Sequence, residues 1–283
     1  MIKLLGKPVA DSILAKVLKR TQNFTQKWNR PPQLAVVIVG EDPASILYTR
    51  KKEQKAKELG MDHRTIALPA TASPAFVYSV IQELNQDRDV DGILIQRPLP
   101  RSFFEGEVLF WISPEKDVDA FHPLNAGKLF LGFPIFLPCT PSGVMTLLEY
   151  YQISPRGKIA CVIGRSSIVG KPMVALLTQA DATVIHCNSK TPQLSKLTQQ
   201  ADILIVAAGK MEFINKDYVQ KGATVIDVGI HRDSKGKIVG DVLFEDVATK
   251  ASAITPVPGG IGVMTIALLM QNTITAAELR KKI

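Results

Sequence analysis

The sequence is poor in cysteine and has no long apolar run. Its three cysteines, Cys139, Cys161 and Cys187, are odd in number and form no CxxC pair, which favours a reducing compartment over a disulfide framework. Segment 1–8 has neither the apolar core nor the small-residue cleavage site of a signal peptide. No apolar run approaches the ~20 residues that a membrane-spanning helix needs. We therefore expect a cytoplasmic protein that has no membrane partner.

Patterns for metal and nucleic-acid binding are also missing. No two histidines have i, i+4 spacing, and no Cys/His cluster has zinc spacing, so we expect no metal. The net charge of +8 attracts small polyanions as well as nucleic acids. The densest basic segment, Arg50–Lys57, is interleaved with Glu53, which is typical of a solvated helix face. We expect no nucleic-acid partner, because no motif of the usual readers appears.

Helical and strand patterns alternate along the chain, which predicts an α/β fold with mostly parallel strands. Turn formers make residues 114–141 read as irregular, and a fresh set of strands follows from about residue 158. We therefore predict two α/β lobes, residues 1–140 and 141–264, the second a Rossmann-like sheet. The predicted strands cover residues 33–40, 65–68, 91–96, 158–163, 182–187, 203–207 and 224–228. The predicted helices begin near residues 10, 43, 73, 142, 171 and 263.

A glycine-bounded turn follows the predicted strand at 158–163. Gly164 lets the backbone turn tightly, Gly170 permits close approach of a ligand, and Pro172 suits the first turn of a helix. The N–H groups at the start of such a helix can bind a phosphate. The turn is not GxGxxG, so an ordinary tight turn between strand and helix is the alternative.

The next predicted strand ends without the acidic residue that binds ribose hydroxyls in NAD-binding folds. Arg165, Ser189 and Lys190 offer donors there instead. A 2′-phosphate is therefore the favoured ligand group, which predicts NADP. Lys190 by itself also fits a solvated surface lysine, so Arg165 and Ser189 are the stronger candidates.

Six segments, spread over nearly the whole chain, resemble in their order the motifs of one family. They are Asp42–Lys52 (DPAS…YxxxK), Asp91–Pro100 (DGILVQLPLP), Lys116–Pro123 (KDVDGFHP), Pro138–Gly143 (PCTPxG), Gly164–Pro172 (GRSxxVGxP) and Thr255–Thr265 (TPVPGGVGPMT). The chain thereby resembles the bifunctional methylenetetrahydrofolate dehydrogenase/methenyltetrahydrofolate cyclohydrolase family. One such motif is modestly specific, whereas six in order are highly specific.

The resemblance implies oxidation of methylenetetrahydrofolate by hydride transfer to NADP, followed by hydrolysis of the methenyl cation to 10-formyltetrahydrofolate. It also implies one site in a cleft between the lobes, a homodimer, and a C-terminal helix (265–283) that packs back on the first lobe.

Each candidate site residue takes its role from the same resemblance. Lys52 corresponds to the catalytic lysine, Gln96 orients Lys52 or the attacking water, and Asp119 binds the pterin nitrogens. A lysine can accept a proton only if burial or nearby positive charge lowers its pKa. Tyr48 stacks on the aminobenzoyl ring. The folate loop is expected to contribute Pro258, Gly259, Gly260 and Gly262. The NADP contacts are expected to be Gly164, Arg165, Ser166, Ser189 and Ile230.

The chain departs from the family motifs at Arg97, Ala120, Asn188 and Val263. Arg97 replaces an apolar residue, so it can contact the acidic substrate tail, act on Lys52 by like-charge repulsion, or point to solvent. A dehydrogenase with weakened cyclohydrolase activity is therefore one alternative. A non-catalytic nucleotide-binding protein of the same fold is another, although the joint presence of Tyr48, Lys52, Gln96 and Asp119 opposes it.

Overall fold

The computed structural model describes residues 1–281, which form two compact α/β units. The first, the six-stranded unit, comprises Met1–Asp11, Leu129–Phe133 and Pro138–Thr265. The second, the three-stranded unit, comprises Ser12–Lys128, Pro134–Leu137 and the chain from Ile266 onward. The predicted α/β class is confirmed, because the six-stranded and the three-stranded sheet are parallel and helices alternate with their strands along the chain. A third sheet has two antiparallel strands.

The elements alternate along the chain as the sequence pattern predicts. The helices are α1 (Gly6–Trp28), α2 (Pro43–Glu58), α3 (Pro74–Gln86), α4 (Glu105–Val108), α5 (Pro123–Phe130), α6 (Cys139–Tyr150), α7 (Gly170–Gln179), α8 (Leu194–Thr198), α9 (Phe244–Val247) and α10 (Gly262–Arg280). The strands are β1 (Ile2–Lys3), β2 (Gln33–Val39), β3 (Asp62–Leu68), β4 (Gly92–Ile95), β5 (Ile159–Ile163), β6 (Thr183–Cys187), β7 (Ile203–Val206), β8 (Thr224–Asp227), β9 (His231–Arg232), β10 (Ile238–Val239) and β11 (Ala253–Ile254). Over residues 1–281, no helix has the length and apolar content that crossing a bilayer requires.

The sheet of the six-stranded unit has the order β1-β11-β8-β7-β5-β6, and every neighbouring pair is parallel. Strands β7 and β8 are buried along their whole length, as expected of central parallel strands covered on both faces. Their inward residues, including Leu204 and Val225, pack with Cys161 and Ile254 in one apolar core. The carboxyl ends of all these strands meet at one edge of the sheet.

The three-stranded unit has the strand order β3-β2-β4, again all parallel. Its central strand, β2, is an uninterrupted apolar run from Leu34 to Val39 and is buried throughout that run. Helix α3 covers the sheet with Val77 and Ile81, which are fully buried. The site residues of this unit follow the carboxyl ends of β2 and β4.

Three local predictions are wrong. Residues 123–130, read as irregular, form α5, because Asn125 donates from Nδ2 to Pro114 O (2.9 Å) and to Asp117 Oδ2 (2.9 Å). These bonds to residues 8 and 11 positions earlier outweigh the turn propensity of Asn125 and Gly127. The helix expected from residue 10 begins at Gly6, and the one expected from residue 142 begins at Cys139.

Strands β1, β9, β10 and β11 were not predicted from the sequence. Each has two residues, which is too short to show an alternating pattern. Strand β1 adds the N-terminus to the sheet edge through Ile2↔Ala253 and Lys3↔Ile254.

Local chemistry fixes where α2 begins and ends. The carboxylate of Asp42 accepts a hydrogen bond from Ser45 N (2.8 Å), and Pro43 occupies the first helical position, as predicted. At the other end Gly60 has a φ of 71°. This left-handed conformation lets Gly60 N donate to Lys57 O (3.0 Å) and so closes the last turn.

The C-terminal helix is fastened within the three-stranded unit by a buried carboxylate. Asp91 is fully buried and accepts from both Nη atoms of Arg30 (2.8 Å each), from Gln33 N (3.0 Å) and from Arg280 Nη1 (3.1 Å). Arg280 also donates to Val90 O. Asp91 thus joins the amino end of β4 to the segment before β2 and to the last turn of α10.

Replacement of Asp91 by Asn should destabilise the protein by about 2–4 kcal/mol, since removing one partner of a buried ion pair leaves the other charge uncompensated. Urea unfolding of the full chain measures this loss. The matched control is Asp11→Asn, which removes the exposed Lys7–Asp11 pair and should change stability by less than about 0.5 kcal/mol. Equal losses in the two variants would contradict the role assigned to Asp91.

A second buried charge caps helix α3. Lys116 is 2% exposed, and its Nζ donates to Leu84 O (2.9 Å) and Asp87 O (2.6 Å). These carbonyls lie in the last turn of the helix, where a cation is favourable. Burial, together with the smaller effect of the nearby Arg280 charge, lowers the pKa of Lys116 to about 8.

Lys116→Met should cost about 1–3 kcal/mol of stability at pH 7, because it leaves two carbonyls without their donor. The cost should grow between pH 8 and pH 10. In that window the unfolded chain binds more protons at Lys116 than the folded chain does, so the lysine adds stability as the pH rises. Urea unfolding of both proteins at pH 7 and pH 10 tests this, and a pH-independent difference would refute it.

Candidate active site

A buried lysine and an amide form the centre of the candidate site in the three-stranded unit. Helix α2 turns a stripe of buried residues, Ser45, Thr49, Lys52 and Ala56, toward the sheet. Lys52 is 9% exposed, and its Nζ donates to Gln96 Oε1 at 2.6 Å. Gln96 directly follows β4. The predicted Lys52 and Gln96 are therefore brought together from positions 44 residues apart.

The orientation of the Gln96 amide is set by the backbone. Its Nε2 donates to Arg97 O (2.7 Å), and the same carbonyl accepts from Ser45 Oγ (3.2 Å). With the amide nitrogen engaged in this way, Oε1 is the atom that faces Lys52. Ser45, whose N–H is capped by Asp42, thus connects the start of α2 to the peptide after Gln96.

Asp119 reaches the same edge of the sheet along a segment that runs beside β4. An isolated parallel bridge pairs Asp117 with Ile93, so Asp119 lies toward the carboxyl end of that strand. Asp117 is buried and accepts from His122 N (2.8 Å) and Asn125 Nδ2 (2.9 Å). Burial raises the pKa of Asp117, and these two donors oppose the shift. Asp117 holds the loop that carries Asp119.

Asp119 and Arg97 line one small cavity of the three-stranded unit, together with Phe121 and His122. The Arg97 guanidinium lies over the Phe121 ring at 5.7 Å, which is cation–π geometry. The arginine that distinguishes this chain from the family motif is therefore half-buried beside the predicted pterin-binding carboxylate.

Tyr48 lies one turn before Lys52 on α2 but outside the buried stripe. Its side chain is 37% exposed, and Lys51 Nζ lies 5.7 Å from its ring centroid. The ring is thus accessible for stacking against a ligand.

In the six-stranded unit, the turn after β5 has no room for side chains at its two glycines. Gly164 has a φ of 129°, and a Cβ there would collide with Ala207 O. A Cβ on Gly170 would collide with Gly164 O. Ser166 Oγ accepts from Val169 N (3.2 Å) and Gly170 N (3.3 Å) and so stabilises the turn that opens α7. A close-packed backbone cradle of this kind fits a dinucleotide phosphate.

The end of β6 supplies polar groups beside this turn. Ser189, which follows β6, is exposed, and so is Arg165 in the turn after β5. The Asn188 side chain is occupied, since its Oδ1 accepts from Lys190 N (2.9 Å). His186 Nε2 contacts Gly164 O at 2.9 Å. The donor set lacks a carboxylate at this strand end, which fits a 2′-phosphorylated cofactor.

Two buried aspartates that the sequence did not single out organise the neighbouring loops. Asp241, fully buried, accepts from three successive amides after β7: Ala208 N (2.6 Å), Gly209 N (2.9 Å) and Lys210 N (2.9 Å). It also pairs with His231 Nε2 (2.7 Å). Asp241 thus holds the loops after β7 and β8 together.

Asp227, at the end of β8, accepts from Gly229 N (2.9 Å), Asp241 N (3.0 Å) and Val242 N (2.9 Å). Burial raises the pKa of Asp227 to about 6. A Cβ on Gly240 would collide with the Asp227 carboxylate, so the position before Asp241 requires glycine. The Gly-Asp pair at 240–241 was therefore the feature of the sequence that could have pointed to these two aspartates. The two aspartates fix the backbone that presents Ile230, which is 49% exposed.

The predicted folate loop lies in the same unit, after β11. Gly259 has a φ of 111°, and its carbonyl accepts from Gly6 N (2.8 Å). Gly260 is buried, whereas Pro258 and Gly262 are exposed. A Cβ on Gly262 would lie 3.2 Å from Ile230 Cδ1, so the loop and the predicted NADP contact Ile230 are neighbours.

Two family models match the chain. Residues 138–281 match the tetrahydrofolate dehydrogenase/cyclohydrolase NAD(P)-binding domain, and residues 4–119 match the catalytic domain of the same family.

Relatives and solved structures agree with these matches. A bifunctional protein FolD of Ligilactobacillus salivarius is 50% identical over 277 residues, 98% of this chain and 95% of that protein. The crystal structure of the FolD methylenetetrahydrofolate dehydrogenase/cyclohydrolase of Campylobacter jejuni, 45% identical, gives a TM-score of 0.96 over 99% of each chain. The Trypanosoma brucei enzyme, complexed with NADP and an inhibitor, is 32% identical and gives 0.95 over 100% of this chain and 99% of that one. The chain therefore belongs to the tetrahydrofolate dehydrogenase/cyclohydrolase family.

Proposed function

We propose that the chain oxidises 5,10-methylenetetrahydrofolate to 5,10-methenyltetrahydrofolate with NADP and then hydrolyses this product to 10-formyltetrahydrofolate. The observation that carries the proposal is the 2.6 Å contact between Lys52 Nζ and Gln96 Oε1 in a largely buried setting. The hydrolytic step needs a positioned proton acceptor, and this pair supplies an amine whose orientation is fixed. Such chemistry serves one-carbon metabolism and purine biosynthesis.

The six-stranded unit binds NADP in this proposal. When bound, NADP supplies the hydride acceptor for the oxidation. Gly164 lets the protein backbone of the turn approach the cofactor closely. Donors for the phosphate oxygens come from Arg165, Ser166 and Ser189. Ile230 gives an exposed apolar contact at the carboxyl edge of the sheet. The rigid backbone around Asp227 and Asp241 holds this contact in place before the cofactor arrives.

The folate is bound by groups of matched chemistry. Asp119 accepts hydrogen bonds from the pterin amino and ring nitrogens, which a carboxylate does well. Tyr48 stacks on the aminobenzoyl ring. Pro258, Gly259, Gly260 and Gly262 line the pocket where backbone must approach the ligand closely.

Lys52 acts in the hydrolysis. Water attacks the methenyl carbon, and the proton that it loses must be taken by a base within hydrogen-bond reach. Lys52 is that base, and Gln96 keeps the lysine or the water in line through its fixed Oε1.

A dehydrogenase with weakened cyclohydrolase activity is the second candidate. Arg97 favours it, because the guanidinium lines the cavity of Asp119 and adds a positive charge where the family motif has an apolar residue. Mixing the purified enzyme with methenyltetrahydrofolate and following the decay of its absorbance separates the two candidates.

The proposal extends to assembly and location. We propose a cytoplasmic homodimer in which residues 1–140, with the C-terminal segment 265–283, bind folate and residues 141–264 bind NADP. Residues 282 and 283 of this segment lie outside the described residues. The three buried free cysteines support a reducing compartment.

Lys52→Met should lower the cyclohydrolase rate by about 100-fold or more, the usual contribution of a general base, while NADP affinity stays unchanged. The rate is measured from the loss of methenyltetrahydrofolate absorbance, and NADP affinity by calorimetric titration. Lys57→Met, which removes an exposed lysine of the same helix, is the control and should keep the full rate. Wild-type hydrolysis by the Lys52 variant would exclude the lysine as the base.

Arg165→Ala should weaken NADP binding by about 10- to 100-fold, the range expected when a hydrogen bond to a charged group is lost. NAD, which lacks the 2′-phosphate, is the matched control ligand, and its weaker binding should change little. Calorimetric titration of both cofactors gives the two ratios. A proportional loss for NAD and NADP would place Arg165 away from the 2′-phosphate.

A further inference from the structure

Two of the positions at which the chain departs from the family motifs, Arg97 and Ala120, converge on the loop that carries Asp119. Ala120 directly follows Asp119 and has a φ of 61°, a left-handed conformation that glycine, the residue of the family motif, enters freely. Among residues 1–281, Ala120 is the one non-glycine residue with a positive φ whose side chain has no polar group to bond locally. This conformation lowers the population of an alanine by roughly fivefold or more. The loop therefore needs contacts that hold it.

Asp117 supplies the backbone contacts of this loop. Its carbonyl oxygen accepts from Ala120 N (3.1 Å), and its Oδ2 accepts from His122 N (2.8 Å). The Ala120 methyl group is buried. These two bonds hold the backbone on both sides of Phe121, but neither of them involves the Phe121 ring. The position of the ring depends on side-chain packing.

The Arg97 side chain packs on that ring. Its guanidinium lies over Phe121, 5.7 Å from the ring centroid, and both residues line the small cavity that Asp119 also lines. Arg97 is half-buried, and a cation–π contact is stronger there than at a fully exposed site. Leucine, the residue of the family motif, has no charge with which to make this contact. Because Phe121 directly follows Ala120, the contact bears on the left-handed turn.

The Arg97 backbone belongs to the other half of the site. Its carbonyl oxygen accepts from Gln96 Nε2 (2.7 Å) and from Ser45 Oγ (3.2 Å). Arg97 thus has two separable contacts: the carbonyl orients the amide that faces Lys52, and the guanidinium packs on the Asp119 loop. A substitution at position 97 removes the side-chain contact and keeps the carbonyl.

We propose that Arg97 is a positioning residue for folate binding, whose guanidinium holds the left-handed Ala120 turn through Phe121 and so keeps Asp119 in its pterin-binding arrangement. The inference rests on the proposed function. Ala120 makes the turn costly, and Arg97 restores its population. Because apparent affinity falls with the fraction of molecules that can bind, loss of the guanidinium weakens folate binding and leaves the chemistry of the bound enzyme unchanged.

The test is a double-mutant cycle of Arg97→Leu and Ala120→Gly in the full chain. KM and kcat are measured for 5,10-methylenetetrahydrofolate and for 5,10-methenyltetrahydrofolate. Arg97→Leu alone should raise both KM values about fivefold, the value of one partly buried cation–π contact, at unchanged kcat. In the Ala120→Gly background the same substitution should raise KM by less than about twofold, because glycine populates the turn without help.

Two control variants separate this role from a general loss of structure or charge. Arg97→Lys keeps a cation that can lie over Phe121, so it should recover most of the affinity that Arg97→Leu loses. Arg101→Leu removes an exposed arginine of the same segment and should change neither constant. Calorimetric titration should give the same NADP affinity for every variant, and thermal unfolding checks that each one is folded.

The outcomes separate the inference from the function beneath it. An increase in KM that is equal with Ala120 and in the Ala120→Gly background overturns the link between the two positions. A higher kcat for hydrolysis at unchanged KM in Arg97→Leu also overturns the inference, and it favours the dehydrogenase with weakened cyclohydrolase activity. Both results leave the folate dehydrogenase standing. A wild type with neither activity overturns the proposed function and the inference together.

Discussion

A buried amine needs an acceptor, and this requirement organises the three-stranded unit. Lys52 is almost fully removed from water, so its donors must be met by protein groups. Gln96 Oε1 accepts a hydrogen bond from one of them. The Gln96 amide keeps this orientation because its Nε2 donates to the Arg97 carbonyl, which also accepts a hydrogen bond from Ser45 Oγ. Helix α2 and the end of β4 are therefore fixed relative to each other by one polar chain. The cap at Asp42 and the stop at Gly60 set the length of α2 that makes this alignment possible.

Parallel strands impose a similar constraint on the location of the site residues. In the six-stranded and three-stranded sheets, the loop after each strand lies at the carboxyl edge of its own sheet. This edge is where α/β proteins bind ligands. In the six-stranded unit this edge collects the turn at Gly164, Ser189 after β6 and Ile230 after β8. Residues far apart in sequence become neighbours there, although no local sequence pattern predicts their proximity. The fold thus explains how motifs that are separated in sequence come together at the edge of each sheet.

The sequence pattern predicted the strands and caps that local residues determine. It missed the elements and contacts that depend on residues elsewhere in the chain. The buried runs at β2, β5 and β7 are continuous, and the cap of α2 is local, so pattern and chemistry were sufficient. Helix α5 was missed because Asn125 reads as a turn former until its bonds to Pro114 and Asp117 are known. The pairing of β1 with β11 joins positions 2 and 253, and no short-range signal reports it. Asp241 was missed although the Gly-Asp pair at 240–241 offered a local signal, because the amides of Ala208 and Lys210 that donate to it lie 33 and 31 residues earlier.

The two buried aspartates, Asp227 and Asp241, show how polar groups can be retained beside the carboxyl edge of the six-stranded sheet. Burial and the nearby Asp241 carboxylate disfavour the charged form of Asp227, and the raised pKa of Asp227 reports that cost. Six backbone N–H groups offset it: three from the loop after β7 bond to Asp241, and three from the loop after β8 and from 241–242 bond to Asp227. Apolar residues of the same size would leave those six donors unsatisfied. The carboxylates are therefore the means by which irregular backbone beside the proposed cofactor site is held rigid, and a rigid backbone loses less entropy when a ligand binds.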